Sequence, residues 1–453
     1  MPTNLIYLEH ICPFKCVYCF SKAWHYRKFF DRRLEKVKEK LKELVDNNTI
    51  PKGSTIILHG GESGLIPISI WEEMINFAKS LGLRVSVQTN VWSISEELLE
   101  LIIKEELRIG VSLDGPPELS VLRGVKHDLD WWDTAYENIM EKIEKLSKKG
   151  LSPGLIVILH KYNIGTEKRR KLLIEWAKTI GEVYNITGGL FNPMISFYPA
   201  QRKFMPTNNQ LFEFYKLQFE EWTKLNAEGK VYSWYPTTPV VSALLGLSAT
   251  PCWMQDCNPY ETVVLAINSD GTGLYICDRT HHIGFFIRTP KGGYIRNIIL
   301  RETDCKDCKY WEICHGGCPM EAYSSGFWMS KTQYCEAFKE FFEYVEKKIR
   351  GLIPCAKLSI DIPNWYEEFY KKGKRYNILE ECGHHVINRV QKTYTKTSPT
   401  PQTQGHCDGI EHIDGNIRHL DSSIICRNES DMERDDKDKG TIHEDWDNHT
   451  DSQ

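Results

Sequence analysis

The sequence lacks the features of a membrane or secreted protein. None of its apolar runs reaches the roughly 18 residues that a transmembrane helix needs. Its first residues, MPTNLIYLEH, do not show the basic and then apolar pattern of a signal peptide. A net charge of −4 is close to neutral for 453 residues, so the composition indicates no general attraction to nucleic acid or to membranes. We therefore expect a cytoplasmic protein that binds neither.

Cysteine is missing from a long middle stretch and crowded on either side of it. Of the 15 cysteines, three lie in the first 19 residues, none lies between Cys19 and Cys252, and eight lie between Cys252 and Cys335. A fold stabilised by disulfides would not leave so long a stretch without cysteine. Because the cytosol keeps thiols reduced, dense cysteine in a cytoplasmic protein indicates metal binding.

Strand patterns alternate with helix patterns along the first 230 residues. Strands are predicted at 4–8, 54–59, 84–90, 107–115, 154–163 and around 186–199, and helices at about 31–47, 69–81, from Ser95 onward, 132–149 and 166–179. This alternation is typical of βα units in a parallel sheet, and about six units fit before residue 230. The sequence predicts an α/β fold, a partial (β/α)6 TIM-like barrel whose chemistry lies at the strand C-terminal ends.

The amino-acid composition of the chain changes twice after residue 230. Residues 231–251 are predicted to be a linker, and residues 252–350 to form a small cysteine-rich domain closed by a helix at 335–350. Residues 351–453 form a polar C-terminal extension that is rich in Thr, Ser, Asp, His and Asn beyond residue 392 or so. Since that composition buries little apolar surface, the extension is predicted to be disordered after about residue 392.

Three cysteines follow the first predicted strand at the spacing Cys12-x3-Cys16-x2-Cys19. Thiolates are the usual ligands of a [4Fe–4S] cluster, and three of them leave one iron open. An open iron can chelate S-adenosylmethionine (SAM) and pass an electron to its sulfonium, which yields a radical that abstracts hydrogen. A closed zinc site wants four ligands, so the zinc alternative needs a further residue such as His10 or His25.

Because of the spacing of these three cysteines, residues 1–230 resemble the radical SAM superfamily, whose defining motif is Cys-x3-Cys-x-aromatic-Cys. The resemblance implies that the aromatic residue before the third cysteine packs on the adenine, that a Gly-Gly-Glu motif holds the SAM amino group and that a serine contacts the ribose. The predicted cofactor-binding residues are Tyr18, Gly60, Gly61, Glu62, Gln88, Asn90, Ser112, Asp114 and Arg123.

The same segments admit plainer interpretations and depart from the family pattern at two positions. Glycines followed by Glu62 also suit an ordinary turn, and Asp114 before Gly-Pro is a common turn residue. Val91 stands where a glycine often follows the third-strand motif, and Ser63 stands where a proline often follows Gly-Gly-Glu. Neither departure changes a predicted cluster ligand.

The second group of cysteines has the more specific spacing, Cys305-x2-Cys308-x5-Cys314-x3-Cys318 followed by Cys335. It is similar to the SPASM domain of sulfatase maturases and of enzymes that modify ribosomally made peptides. The resemblance implies two auxiliary [4Fe–4S] clusters, three clusters in all. One is held by Cys252, Cys257, Cys277 and Cys318, and the other by Cys305, Cys308, Cys314 and Cys335. The alternative is a zinc ribbon that uses Cys305, Cys308, Cys314 and Cys318, with or without His315.

Asp278 directly follows Cys277, and sulfatase maturases carry at this position an aspartate that deprotonates the substrate residue. The resemblance makes Asp278 a candidate catalytic base, with a hydrogen bond to the backbone or to Arg279 as the plain alternative. The leading function is oxidation or crosslinking of a peptide or protein, with electrons from a donor such as flavodoxin or ferredoxin. Formylglycine formation in sulfatases, small-molecule radical chemistry and a non-catalytic zinc-binding interaction protein are the alternatives, and the oligomeric state is left open.

Overall fold

The computed structural model describes residues 3–9, 11–19, 34–245, 264–267, 274–275, 291–352, 359–360 and 376–377. All of them belong to one unit, Met1–Ser398, while the second unit, Pro399–Gln453, lies outside the described residues. Several predictions of the sequence also lie outside them: Cys252, Cys257, Cys277, Asp278 and the C-terminal extension after residue 392. These stay predictions.

A largely parallel sheet forms the centre of the described chain. Its strands are β1 (Thr3–Glu9), β2 (Thr55–Gly60), β3 (Arg84–Thr89), β4 (Arg108–Ser112), β5 (Gly154–Leu159), β6 (Gly188–Pro193), β7 (Ser233–Tyr235), β8 (Val264–Ile267) and β9 (Leu274–Tyr275). The order across the sheet is β7-β6-β5-β4-β3-β2-β1-β8-β9, and only the β8–β9 pair is antiparallel. The six consecutive parallel strands β1–β6 confirm the predicted open α/β barrel.

Helices connect and cover the strands. They are α1 (Leu34–Asp46), α2 (Ile68–Ser80), α3 (Glu96–Lys104), α4 (Leu129–Lys148), α5 (Lys161–Ile164), α6 (Glu167–Tyr184), α7 (Asn208–Ala227), α8 (Thr237–Leu244), α9 (Lys291–Glu302), α10 (Trp311–Cys314), α11 (Pro319–Ser325) and α12 (Cys335–Leu352). Short 3-10 turns span Ser63–Leu65, Pro117–Leu119 and Pro199–Phe204, and β10 (Ser359–Ile360) pairs antiparallel with β11 (Tyr376–Asn377). Within the described ranges, every helix is too short or too polar to cross a lipid bilayer.

Local sequence explains where the barrel helices begin. Ser95 accepts a hydrogen bond from the Leu98 amide, as predicted for the N-cap of α3, and Asp128 caps α4 in the same way. Each cap satisfies a backbone donor that has no partner inside the helix. The apolar face of each helix then packs on the sheet, as Trp71 and Met74 of α2 do with no exposed surface. This burial is the main favourable term that holds the strand ends in place.

The sheet is longer than the sequence predicts. The predicted linker at 231–251 contains β7, which pairs with β6 in parallel, and α8 directly after it. From the predicted cysteine-rich domain, β8 pairs in parallel with β1. A strand of three or four residues is too short for a periodic pattern to show in the sequence, which is why β7 was missed. The domain boundaries at residues 230 and 252 remain predictions.

The helices of the second cysteine group pack on the barrel. Tyr215 of α7 stacks on Phe338 of α12, with ring centroids 6.2 Å apart. The Tyr334 hydroxyl donates to the Met194 carbonyl just after β6, at 2.5 Å. One contact is a buried ring stack and the other a buried hydrogen bond. Together they place the second cysteine group on the barrel near the C-terminal end of β6.

Candidate active site

The cysteine loop (residues 11–19) follows β1 at the C-terminal edge of the sheet. The loop runs beside the segment 120–127: the Lys15 amide donates to the Gly124 carbonyl at 2.7 Å and the Val17 amide to the Leu122 carbonyl at 2.9 Å. Gly124 has φ of +115°, and a Cβ there would lie 2.3 Å from the Trp131 ring. Only glycine fits this position, so the close approach of the two segments depends on it.

Aromatic packing fixes the other side of the cysteine loop. The ring of Phe14 is buried, with its centroid 5.8 Å from that of Trp92 and 5.6 Å from that of Trp131. Trp92 follows β3 and Trp131 lies in the first turn of α4. The loop is therefore in contact with the end of β3 and the start of α4, and a shift in either would move it.

Cys12, Cys16 and Cys19 are free, partly buried thiols in this loop. Burial raises the pKa of Cys12 above its ordinary range and that of Cys16 to about 12, and the three cysteines repel one another electrostatically when ionised. A cation at this position would reverse that balance, because a metal deprotonates its thiol ligand. The donor set of three thiols in one loop fits a [4Fe–4S] cluster.

A single-ion site is not formed by these residues. Among the residues that the structure describes, no three His, Cys, Asp or Glu side chains converge as they would around one metal ion. Each thiolate of an iron–sulfur cluster binds a different iron, so cluster ligands stand apart where zinc ligands meet. His10 and His25, the further ligands that the zinc alternative needs, lie outside the described residues.

Glu62 lies after the Gly60-Gly61 pair at the C-terminal end of β2. Its side chain is only 4% exposed. One carboxylate oxygen accepts from the Gly64 amide at 2.8 Å and the Thr89 hydroxyl at 2.5 Å, and the other accepts from the Asn90 amide at 2.8 Å. Burial raises the pKa of Glu62, while these hydrogen bonds oppose the rise. Glu62 thus joins the end of β2 to the end of β3, and its charge contributes to the raised pKa of Cys12.

Gln88 and Ser112 meet at the ends of β3 and β4. The Gln88 amide donates to the Ser112 hydroxyl at 2.7 Å, and both residues are partly exposed. Gly110 admits the Gln88 side chain, because a Cβ at position 110 would lie 2.2 Å from its oxygen. The pair presents polar groups at the same edge of the sheet as Glu62.

A buried cluster of polar side chains lies beneath the cysteine loop. The Tyr18 hydroxyl donates to the Asp114 carboxylate and accepts from Arg123 at 2.9 Å. Asp114 also accepts from the Ile158 amide at 2.9 Å, and the imidazole of His160 stacks on the Tyr18 ring. The cluster ties the cysteine loop to the ends of β4 and β5.

This cluster encloses Asp114. The resemblance implies a cofactor contact, but the Asp114 side chain has no exposed surface and is bonded within the protein. The Tyr18 hydroxyl and the Ile158 amide donate to its carboxylate, and the Arg123 guanidinium lies 3.8 Å away as its ion-pair partner. The first of these contacts ties Asp114 to Tyr18 of the cysteine loop, and a cofactor contact of Asp114 stays a prediction. Arg123 is also buried, yet its Nε has no hydrogen-bond partner among the described residues.

The second cysteine group forms a separate site. Cys305, Cys308, Cys314 and Cys335 line one cavity together with Tyr310, Trp311, Gly316, Phe338, Lys339 and Phe342. Burial raises the pKa of Cys305 to about 11, and Cys335 and Cys308 add to the rise. Cys318 does not line this cavity and instead precedes α11 as its N-cap. The four-thiol donor set around one cavity fits a fully ligated cluster.

Arg296 of α9 supports the loop that carries Cys314 and Cys318. Its buried guanidinium donates to the carbonyls of Gly316 at 3.0 Å and Gly317 at 3.1 Å, and to those of Trp328 and Ser330 at 2.9 and 2.8 Å. With a weaker bond to the His315 carbonyl at 3.4 Å, five carbonyls accept from this one side chain. Sequence reasoning missed Arg296, because nothing in its local pattern distinguishes it from a surface arginine.

Residues 6–173 match the family model described as the radical SAM superfamily. This part of the chain is a radical SAM domain. The match begins in β1, includes the cysteine loop, Glu62 and Arg123, and ends in α6. A radical SAM domain implies SAM and a [4Fe–4S] cluster as cofactors, and it identifies the protein as an enzyme.

Relatives extend the similarity of the radical SAM enzyme well beyond this domain. A cysteine-type anaerobic sulfatase-maturating enzyme of Clostridium novyi (strain NT) is 24% identical over 384 residues, 76% of this chain and 94% of that protein. A serine-type anaerobic sulfatase-maturating enzyme of Bacteroides thetaiotaomicron is 22% identical over 382 residues, 74% of this chain and 87% of that protein. The enzyme is homologous to the anaerobic sulfatase maturases.

Two solved structures share its fold. One is native anSMEcpe with bound AdoMet and Cp18Cys peptide, with a TM-score of 0.61 and 20% identity, covering 78% of this chain and 99% of that chain. The other is Streptococcus suis SuiB bound to the precursor peptide SuiA, with a TM-score of 0.52 and 15% identity, covering 74% and 76%. At these identities, the likeness shows a common fold.

Proposed function

We propose that this radical SAM enzyme cleaves SAM at a cluster held by Cys12, Cys16 and Cys19 and oxidises a residue of a peptide or protein substrate. The observation that carries the proposal is the position of three partly buried thiols, none of them in a disulfide, in one loop beside Glu62. The family match supplies the cofactors. The relatives, which act in sulfatase maturation or are bound to peptides, support a peptide substrate.

Glu62 has room for one further hydrogen bond. An ionised carboxylate has about four acceptor positions, and donors among the described residues fill three of them. The remaining one can accept from the ammonium of SAM, as the family pattern implies. When bound, the cluster and SAM supply the electron transfer and the hydrogen-abstracting radical. Gln88, Ser112 and the Nδ2 of Asn90, which has no partner within the described part of the chain, offer further polar contacts at the same edge.

We propose two auxiliary clusters in addition. Cys305, Cys308, Cys314 and Cys335 hold one of them, and their common cavity supports this assignment. Cys318 joins Cys252, Cys257 and Cys277 around the other, which follows from the SPASM resemblance alone. With four protein ligands each, these clusters carry electrons, including the one that the oxidised substrate releases. Flavodoxin or ferredoxin is the class of donor that we expect for the first electron.

Formylglycine formation is the second candidate, and the homology to sulfatase maturases favours it. In this reaction Asp278 serves as the base that deprotonates the substrate residue. Peptides that carry Cys or Ser within a sulfatase maturation sequence test the candidate, with formylglycine detected by mass spectrometry. Formation in the wild-type enzyme and its loss in Asp278→Asn, with SAM cleavage retained, support it. SAM cleavage without formylglycine from either peptide rejects it.

The proposed function itself is tested by SAM cleavage. The anaerobically purified enzyme should form 5′-deoxyadenosine from SAM when a strong reductant is added. Cys16→Ala should abolish this product, while Cys355→Ala, which changes a cysteine outside all three proposed ligand sets, should not. Full activity of Cys16→Ala, or a colourless protein with stoichiometric zinc, contradicts the proposal.

A further inference from the structure

Lys142 is a buried lysine on the sheet-facing side of α4. Its side chain is 7% exposed and lies among the apolar residues Ile139, Ile143 and Leu146. The ammonium donates to the carbonyls of Trp92 at 3.0 Å and Ile94 at 2.8 Å, and more weakly to that of Val91 at 3.4 Å. A buried ammonium is costly unless it is hydrogen-bonded, and these carbonyls supply the bonds. Lys142 thus attaches α4 to the turn after β3.

That turn, residues 89–94, contains a strained residue. Val91 has φ of +64° and no exposed surface. The left-handed region is unfavourable for a residue with a Cβ, and β-branched residues are especially rare in it. Such strain persists only when surrounding contacts fix the backbone. Lys142 supplies those contacts from one side, because it bonds the carbonyls of Val91 and of its successor.

The turn also holds the groups proposed to bind SAM. The Asn90 amide and the Thr89 hydroxyl donate to Glu62, and the Ser93 amide donates to the Asn90 side-chain oxygen at 2.9 Å. The Asn90 Nδ2 is buried and has no hydrogen-bond partner among the described residues. Trp92 of the same turn packs on Phe14 of the cysteine loop. A relaxed turn would therefore move Glu62, Asn90 and the loop together.

We propose that Lys142 is a positioning residue for SAM: it holds the turn at 89–94 in the strained conformation that presents Glu62 and Asn90 to the cofactor. The inference rests on the proposed function, since it assumes that SAM binds at this edge of the sheet. It assigns a role to a residue that the family pattern does not include. It also explains how valine is tolerated at position 91, where glycine would adopt the conformation freely.

The test measures SAM binding to the anaerobic, cluster-loaded enzyme by equilibrium dialysis. Lys142→Met should raise the dissociation constant for SAM about tenfold, which corresponds to about 1.4 kcal/mol. In steady-state assays, the KM for SAM should rise more than kcat falls. Lys145→Met is the matched control, because Lys145 lies one turn further along α4 and bonds only the exposed Glu96 among the described residues. It should bind SAM like the wild type, and all three proteins should contain equal iron.

Relief of the strain should reduce the dependence on Lys142. In a Val91→Gly background, the same Lys142→Met change should raise the dissociation constant for SAM by a factor about three times smaller than in the wild-type background. The reason is that glycine keeps the conformation of the turn without support. An unchanged dissociation constant in Lys142→Met overturns the inference, as does an equal loss in both backgrounds. A wild-type enzyme that does not bind SAM contradicts the proposed function instead, so the two failures are distinguishable.

Hydrogen exchange gives a test that needs no variant. If Lys142 holds the turn, the amides of Asn90 and Ser93 in the wild-type enzyme should exchange as slowly as those of the buried strands. Exchange as fast as that of exposed loops overturns the inference, even if Lys142→Met does not fold.

Discussion

Tyr18 connects two charged side chains that are buried in the barrel. Its hydroxyl bonds both Asp114 and Arg123, whereas the direct distance between the carboxylate and the guanidinium is 3.8 Å. The hydroxyl therefore completes the hydrogen bonding of both charges. Because Tyr18 lies between Cys16 and Cys19, the same contact also holds the cysteine loop.

We expect Tyr18→Phe to destabilise the enzyme by about 1–3 kcal/mol, because it leaves two buried charges with one partner fewer. Denaturant unfolding of the cluster-loaded protein under anaerobic conditions measures the effect. Tyr162→Phe is the control, since Tyr162 is 40% exposed and should change stability little. Equal stability of the two variants would show that the hydroxyl of Tyr18 carries no structural role.

His160 makes stability depend on pH. Burial lowers its pKa to about 3, and the nearby Arg169 adds to the shift. Between about pH 6.5 and pH 3 the unfolded chain binds a proton at His160 that the folded protein does not, so this residue lowers stability as the pH falls through that window. His160→Asn keeps an acceptor for the Asn163 amide that His160 now caps.

The free energy of unfolding of His160→Asn, minus that of the wild type, should therefore rise by about 2 kcal/mol when the pH falls from about 7 to about 5. Parallel unfolding curves of both proteins at the two pH values give this difference. If the stability difference is the same at both, His160 is protonated in the folded protein or does not titrate differently on unfolding.

At the scale of single elements, α9 and the loop after α10 form a unit through Arg296. Replacement by Met removes the donor for the carbonyls of Gly316 and Gly317 and frees the loop between Cys314 and Cys318. We expect Arg296→Met to lose iron from the second cysteine group while SAM cleavage persists. Metal analysis measures the loss, with Arg301→Met on the exposed side of α9 as control. Full iron content in Arg296→Met contradicts this role.

The elements themselves could be predicted from the sequence where a pattern repeats. Strands β1–β6 and the N-cap Ser95 were predicted because alternation and capping chemistry are local signals. The strand β7 was not, because it is three residues long and depends on pairing with β6. One sequence signal could have identified Lys142: it lies on the apolar face of α4, where a lysine needs buried hydrogen-bond acceptors.

The site could be predicted from the sequence where the spacing of residues along the chain indicates their chemistry. The cysteines, Glu62, Gln88 and Ser112 lie at the C-terminal edge of the sheet, as the barrel pattern indicates. The burial of Asp114 was not predictable, because it results from Tyr18 and Arg123, which lie 96 and 9 residues away in the chain. Contacts across such distances follow from packing, which no local pattern records.

For the whole molecule, we expect three separable clusters. The wild-type enzyme should contain about 12 irons per chain when fully loaded, and Cys308→Ala should contain about 8, since it removes one ligand of a single auxiliary cluster. This variant should still cleave SAM, because the cavity of Cys308 is distinct from the cysteine loop. Stoichiometric zinc in place of iron, or loss of SAM cleavage together with all iron, would contradict this division.

The packing of α12 on α7 joins the two cysteine groups within the described residues. Neither spacing nor composition indicates this interface, because it is formed by aromatic side chains that look like ordinary core positions in the sequence. It places the two cysteine groups in one body, as the proposed transfer of an electron from the substrate to an auxiliary cluster requires.

The most direct measurement is the electron paramagnetic resonance spectrum of the reduced enzyme with and without SAM. If the proposed cluster of Cys12, Cys16 and Cys19 has an open iron that binds SAM, we expect SAM to change the spectrum of the wild type. Cys308→Ala should show the same change, and Cys16→Ala should show none. A wild-type spectrum that SAM leaves unaltered, or an equal change in Cys16→Ala, would contradict the central claim.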